Sequence, residues 1–357
     1  MSAIYSIITG SGKYIPKKVV RNEDFHSNVF YENNGEKVKK DNRIITDKFE
    51  EITTIAERRH VTEDLLTSDI AFFAAEEAIK AAGINKEELD YIIVAHNFGD
   101  VNHGSSRVDI LPSLAARVKH KLKIENPFAV AYDLPFGCPG WVQAVIQADY
   151  YIKSGDAKKI LVIGADVLSR ISDPHDRDSM IYADGAGAVI MEAKESETPI
   201  GVLGHVSRSD TLIHSQMLYM GKSYNQENKD DLYLKMNGRK LYQYALENVP
   251  AAIKLCLDKK GVDIKDIKKV LIHQANGKMD DAILKRLYAL YNIDEAPEGV
   301  MPMSISWLGN SSVATVPTLL DLILKGEMDG HAINNGDTIV LTSVGAGMNI
   351  NAVIYKA

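Results

Sequence analysis

Cys138 lies in the run Asp133-Leu134-Pro135-Phe136-Gly137-Cys138-Pro139-Gly140-Trp141, where Pro and Gly on both sides of the thiol force a sharp turn. The apolar periodicity that begins at Trp141 predicts a helix to Ile152, with Pro139 at its first position, where a missing amide costs nothing. A thiol at a helix N-terminus faces unpaired amides and the positive end of the helix dipole. Both favour the thiolate, so Cys138 reads as a nucleophile. The competing reading is a small buried apolar side chain in a tight turn. The second cysteine, Cys256, sits mid-helix in Ala252-Ile253-Lys254-Leu255-Cys256-Leu257 and reads as packing.

Three further positions have the right chemistry to serve such a nucleophile. His273, in Leu271-Ile272-His273-Gln274-Ala275-Asn276, follows a strand-like run, and the carboxyl ends of strands are where α/β sheets gather catalytic groups. Its bland alternative is a core histidine with a satisfied ring. Asn310, in Gly309-Asn310-Ser311-Ser312, presents an amide able to donate to a thioester oxygen or an enolate. Equally, Asn before Ser-Ser reads as a helix N-cap. Gly345-Ala346-Gly347 follows the last long strand-like run, and its small residues let a backbone amide approach a ligand closely, as an oxyanion site requires. The alternative there is a simple turn.

Two look-alikes fail on their mechanics. Thr9-Gly10-Ser11-Gly12-Lys13-Tyr14 ends like a phosphate loop, but Ile7 stands where the first Gly belongs and Tyr14 where Ser or Thr belongs. Asp184-Gly185-Ala186-Gly187-Ala188 precedes a strand instead of opening a helix after one. No His or Cys cluster has metal-ligand spacing.

The elements that must position these residues form an α/β pattern. Short β-branched runs at 92–94, 160–163, 270–272 and 338–341 alternate with helix-length segments. The pattern repeats. Ala78-Ile79-Lys80, Gly83 and a strand ending in His96 recur as Ala252-Ile253-Lys254, Gly261 and a strand ending in His273. A helix from Trp141 to Ile152 closed by Lys153-Ser154-Gly155 recurs as Val313 to Leu324 closed by Lys325-Gly326, and each precedes a strand. The repeat sets Asn310 at the place of Cys138. It predicts two similar units, 1–200 carrying the cysteine and 201–357 carrying the histidine and asparagine. Residues 26–50 and 97–109 read as polar loops of the kind that border a substrate entrance.

Bulk properties narrow the function class. The 357 residues are 45% hydrophobic and 25% charged, with a net charge of −7 and no basic run, which argues against nucleic acid as a partner. Two cysteines make no disulfide framework. No apolar run approaches the ~20 residues of a membrane span, and the first ten residues lack a signal-peptide pattern. The expectation is a cytoplasmic protein.

The motifs together resemble the β-ketoacyl-acyl-carrier-protein synthase III family of condensing enzymes. The cysteine turn, the block from Lys153 through Ala188, His273-Gln274-Ala275-Asn276, Gly309-Asn310-Ser311-Ser312-Val313-Ala314 with Val316-Pro317, and the 345–347 loop occur in the family's order. The resemblance implies the thiolase fold: two halves in a duplicated five-layered αβαβα arrangement with two mixed sheets, assembled as a homodimer. It implies Cys138, His273 and Asn310 as catalytic residues and Gly345, Ala346 and Gly347 beside the oxyanion. The implied reaction loads an acyl group on Cys138 and condenses it with a malonyl thioester that loses carbon dioxide. Substrates arrive as coenzyme A or phosphopantetheine thioesters, from acyl-CoA or an acyl carrier protein, with no metal or other cofactor. The chain departs from the family at Phe136, Gly137 and Pro139, in the segment 52–60, in the missing adenine-clasping Trp and Arg (Phe49 is the nearest aromatic), and in a longer 97–109 loop. These departures leave open a longer acyl donor, or a ketosynthase that joins and cyclises a β-ketoacyl unit with a second acyl unit on a dialkylresorcinol-type route. A non-condensing acyltransferase and a catalytically silent partner subunit are the remaining alternatives.

Overall fold

The computed structural model describes residues 2–227 and 231–357. Two sheets share one strand order. The first contains β1 (Ala3–Tyr14), β2 (Tyr91–His96), β3 (Val130–Pro135), β4 (Lys159–Val167) and β5 (Asp184–Ser196), in the spatial order β1-β5-β4-β2-β3. The second contains β6 (Gly201–Ser209), β7 (Ile267–Ile272), β8 (Thr338–Gly345) and β9 (Asn349–Lys356), in the order β6-β9-β8-β7. In each sheet the pairs next to the first strand are antiparallel and the remainder are parallel. Without β3 the two sheets correspond strand for strand. Where β3 would recur, the Val300 carbonyl accepts from the Val270 N–H at 2.8 Å.

The helices that concern the layers and the site are α1 (Asn42–Thr53), α2 (Thr67–Ala82), α3 (Gly140–Ser154), α4 (Gly238–Lys260), α5 (Gly277–Ala289) and α6 (Thr315–Leu324). Gly83, Gly155 and Gly261 end α2, α3 and α4 in the left-handed conformation that the sequence reading requires of a helix stop. Apolar clusters define the layers. Trp141, Val145 and Ile152 of α3 and Leu319, Leu320 and Ile323 of α6 pack with Ile160 and Val162 of one sheet and Leu341 and Val353 of the other. These two helices are therefore the middle layer. Ile70, Ala71 and Ala74 of α2 cover the outer face of the first sheet, on Leu161, Ile163 and Ile190. Val249 and Ile253 of α4 and Ile283 and Leu287 of α5 cover the second, on Val270, Val340 and Ile354. The result is the five-layered αβαβα order of the thiolase fold. Trp141 is wholly buried in the middle layer, and truncating it to Ala would cost about 3–5 kcal/mol.

The glycines of the phosphate-loop look-alike have a packing role. A Cβ on Gly10 would stand 2.4 Å from the Ala82 nitrogen, and one on Gly12 would stand 2.3 Å from the Ala74 carbonyl oxygen, so β1 meets α2 backbone to backbone.

Three local expectations change. Part of the 26–50 segment is helical: α1 starts after Asp41, whose side chain accepts from the Arg43 N–H. Its apolar side chains are few, and Phe49 and Ile52 line a cavity, Phe49 while also packing on core clusters, which is why the periodicity is weak. Within 97–109, Asp100–Val101 pairs with Val108–Asp109. The helix expected from Val313 begins at Thr315, after a tight turn at Ser312–Ala314.

Candidate active site

A cavity of about 610 Å³ opens between the two sheets' carboxyl ends, and Cys138, His273, Asn310, Ser312 and Ala346 all line it. Cys138 follows β3 and precedes α3. Pro139 is the cap of that helix and Gly140 its first residue, one position later than expected. Gly137 supplies a φ of 74° just before the thiol. A Cβ on Gly345 would stand 2.8 Å from the Cys138 nitrogen, and one on Gly137 would stand 3.1 Å from the Ala346 nitrogen. The cysteine turn and the 345–347 loop are thus pressed together. Ala346 reaches the cavity lining, while Gly345 and Gly347 (φ 75°) shape the loop behind it.

Asn310 is 5% exposed and lies alongside Tyr182 in an isolated bridge, with its N–H donating to the Ile181 carbonyl and its carbonyl accepting from Ala183 N–H. It does not cap α6, which starts five residues later. Its Oδ1 accepts from the Ser312 N–H at 2.8 Å. That bond fixes the amide orientation and leaves Nδ2, a donor, without a protein partner among the described residues. Ser312 itself has a φ of 54°, a conformation that costs a non-glycine residue energy and marks a constrained site.

His273 extends β7, donating its N–H to the Thr342 carbonyl at 2.9 Å, and is 3% exposed. Its Nδ1 has no hydrogen-bond partner among the described residues. Burial depresses the ring to about 4, opposed by a hydrogen bond to the Ser312 backbone, so the ring is neutral at physiological pH. His96, its counterpart in the repeat, does other work: its Nε2 meets Asp133 Oδ2 at 3.1 Å, and that carboxylate also accepts from the Leu114 and Ala115 N–H groups.

The thiol corrects a sequence expectation. Burial pushes Cys138 up to about 12, and the Asp166 charge adds to the rise. The hydrogen bond from Ser312 and the residue's own amide oppose it and lose. Cys138 at rest is therefore a thiol, not the thiolate that its helix-start position predicts. The protein packed around this half-buried residue outweighs the favourable amides.

The sequence reading missed the group that holds the sulfur. Ser312 Oγ donates to Cys138 Sγ at 3.2 Å. Asn97 Nδ2 donates to Ser312 Oγ at 2.7 Å and to Asp166 Oδ2 at 2.6 Å, and Asn97 N–H donates to Asp166 Oδ1 at 2.9 Å. Asp166 is buried, and burial raises its carboxyl despite those bonds. Asn97 had one signal: it follows the strand-ending His96 that mirrors His273.

Among the described residues no group of three His, Cys, Asp or Glu side chains is placed to hold a metal ion. No described helix is long and apolar enough to cross a membrane.

The fold and this cavity define a condensing enzyme of the thiolase superfamily. The family models described as 3-oxoacyl-[acyl-carrier-protein] synthase III and its C-terminal part match residues 132–211 and 257–357. The β-ketoacyl-[acyl-carrier-protein] synthase III of Staphylococcus haemolyticus is 34% identical over 352 residues, covering 98% of each chain. The crystal structure of 3-oxoacyl-[acyl-carrier-protein] synthase III from Aquifex aeolicus superposes with a TM-score of 0.79 at 30% identity, covering 99% of this chain and 100% of that one. The priming β-ketosynthase of the R1128 polyketide pathway gives a TM-score of 0.79 at 25% identity, over 99% of this chain and 96% of that one. The chain belongs to the 3-oxoacyl-[acyl-carrier-protein] synthase III family. It is a β-ketoacyl synthase III-like enzyme that joins acyl thioesters by decarboxylative Claisen condensation in fatty-acid or related lipid biosynthesis.

Proposed function

We propose that the two halves, 1–200 and 201–357, divide the chemistry: the first supplies the nucleophile Cys138, the second the polar groups His273 and Asn310 that act on the second substrate. The observation that supports this reading is the meeting of all three side chains on one cavity, with Ser312 of the second half bonded to the Cys138 sulfur of the first.

In the first half-reaction the thiol gives up its proton as sulfur attacks the carbonyl of an acyl thioester, the C–S bond to the carrier breaks, and the carrier leaves as its thiol. The departing carrier sulfur takes up that proton. The backbone amides of Cys138 and Ala346, brought together by Gly137 and Gly345, hold the oxyanion. In the second half-reaction a malonyl thioester loses carbon dioxide, and the electron pair of the broken C–C bond passes to an enolate. Asn310 Nδ2, oriented by the Ser312 N–H, and a proton we assign to His273 Nε2 stabilise its oxygen. The enolate carbon attacks acyl-Cys138, the C–S bond to Cys138 breaks as the β-ketoacyl product leaves, and the sulfur takes a proton from solvent.

Acyl-CoA or an acyl carrier protein supplies the substrates, and the enzyme needs no metal or redox cofactor. Cys138 and Cys256 are both unpaired, in keeping with the cytoplasm, and the working form is a homodimer. The test is intact-protein mass spectrometry after incubation with acyl-CoAs and acyl carriers of increasing length. A mass gain in the wild type and none in Cys138→Ala supports the acyl-cysteine. A gain that persists in Cys138→Ala overturns it.

A further inference from the structure

β2 and β4 pair as parallel strands as far as Ala95 and Gly164. Two residues on, a side chain takes over from the ladder. The Asp166 carboxyl, not a backbone carbonyl, accepts the Asn97 N–H, on Oδ1 at 2.9 Å. The Asn97 side chain then reaches the other oxygen, Nδ2 donating to Oδ2 at 2.6 Å. One asparagine thus spans both oxygens of a carboxyl that is 1% exposed. The other hydrogen of Nδ2 goes to Ser312 Oγ at 2.7 Å. An amide nitrogen has two hydrogens, and both are placed. The reverse orientation of this amide would set its Oδ1 against the Asp166 carboxylate.

This pattern decides where the Ser312 proton points. A hydroxyl has one proton to give, and two acceptors compete for it. One is the Cys138 sulfur at 3.2 Å. The other is the Asp166 carboxyl, which is held on the same nitrogen as Ser312 Oγ and is therefore its neighbour. The Ser312 hydroxyl is among the groups that favour its charged form. Oxygen is the stronger acceptor, above all when it is charged, and sulfur the weaker. Free to choose, the hydroxyl would turn to Asp166. Asn97 Nδ2 bridges the two oxygens and holds them apart on its two hydrogens, which leaves the serine proton to the sulfur.

We propose that Asn97 is a positioning residue for the nucleophile: by bridging Asp166 and Ser312 it keeps the Ser312 hydroxyl donating to Cys138 Sγ instead of to the carboxyl. This inference rests on the reading of Cys138 as the reacting sulfur. Asn97 also lines the cavity, so direct contact with a substrate is the rival account. The two differ in one respect. A steering residue acts only through Ser312 and loses its effect once that hydroxyl is gone. A contact residue, or a merely structural one, costs the same with or without it.

The test is a double-mutant cycle on the full-length protein with iodoacetamide, a small electrophile that needs no acyl pocket. Mass spectrometry follows modification of Cys138 from pH 7 to pH 10. Loss of the hydrogen bond raises the thiol further, and the greater nucleophilicity of the more basic thiolate returns part of the rate. Ser312→Ala is therefore expected to slow alkylation about 2- to 4-fold at each pH, Asn97→Ala by the same factor, and the double variant by no more than either alone. Asn97→Leu, which keeps the side-chain volume, takes the place of Asn97→Ala if the latter does not fold, with the same expectation. Losses that multiply to about 4- to 16-fold in the double variant overturn the inference. The wild-type rate in either single variant overturns it as well. Acyl-CoAs loaded in parallel keep the two readings apart: coupled alkylation without acylation of Cys138 from any donor would sink the acyl-cysteine and leave the steering by Asn97 in place.

Discussion

Ser312 Oγ stands 3.2 Å from Cys138 Sγ, a hydrogen bond across 174 positions of sequence that ties the turn after β3 to the turn before α6. The serine takes that position at a positive φ and is backed by Asn97, whose amide donates to it at 2.7 Å. A hydroxyl that donates to sulfur stabilises negative charge as it develops there. Its weight is modest, because burial keeps the thiol protonated despite it. Ser312→Ala is therefore expected to slow acylation of Cys138 about 3- to 10-fold, the value of one ordinary hydrogen bond, with the protein still folded. Stopped-flow or quenched loading kinetics would check this. An unchanged acylation rate would make the contact structural only.

The raised thiol makes a second prediction. A cysteine pushed to about 12 reacts with iodoacetamide at a rate that keeps climbing with pH beyond 9, the ordinary thiol range. A preformed thiolate would instead give a plateau near neutrality. The labelling rate of Cys138 from pH 6 to pH 10, with Cys138→Ala subtracting the contribution of Cys256, distinguishes the two. A plateau below pH 8 would restore the thiolate that the helix-start position alone predicts.

That difference shows where sequence reasoning reached and where it stopped. The duplication was legible because helix, Gly stop and strand recur as local patterns, and Gly83 and Gly261 close α2 and α4 as those patterns require. Cys138, His273 and Asn310 were legible as motifs at element ends, and the structure brings all three to one cavity. The Asp166–Asn97–Ser312 chain was not, because its members come from β4, the end of β2 and the turn before α6, and only the sheet order makes them neighbours. Charge state was illegible for the same reason. Dipole direction is a local property, whereas the desolvation that defeats it depends on everything packed around the sulfur. The helix α1 escaped notice because its apolar side chains serve the cavity as much as the core.

In the proposed mechanism Asn310 serves the second half-reaction, so its loss has a distinctive pattern. Asn310→Ala removes the Nδ2 donor and leaves the Ser312 N–H unpaired, whereas the sulfur and the Gly137–Gly345 contact stay in place. Acyl loading is expected to fall by less than about tenfold, while carbon dioxide release from a malonyl thioester falls on the order of 100- to 1,000-fold, the range for one oxyanion donor. Release of labelled carbon dioxide alongside mass-spectrometric loading separates the two steps. Equal losses in both would return Asn310 to a structural role in the 309–314 turn.

His273 also links acidity to stability. Its ring is depressed from 6.5 to about 4 in the folded protein, chiefly by burial, while the unfolded chain has an ordinary imidazole. Between those values the unfolded state binds more protons, so stability is full above pH 6.5 and is lost as pH falls toward 4. The loss from this one residue is at most about 3 kcal/mol. Raised carboxyls such as Asp166 and Asp280 act in the opposite direction, gaining stability on acidification, so the total pH profile does not isolate the histidine. The difference between wild type and His273→Gln does, because both chains carry the same carboxyls. Urea midpoints measured from pH 7.5 to pH 4.5 are expected to converge for the two proteins as pH falls. Parallel profiles would mean that the imidazole stays solvated in the fold, and that burial does not hold the ring neutral.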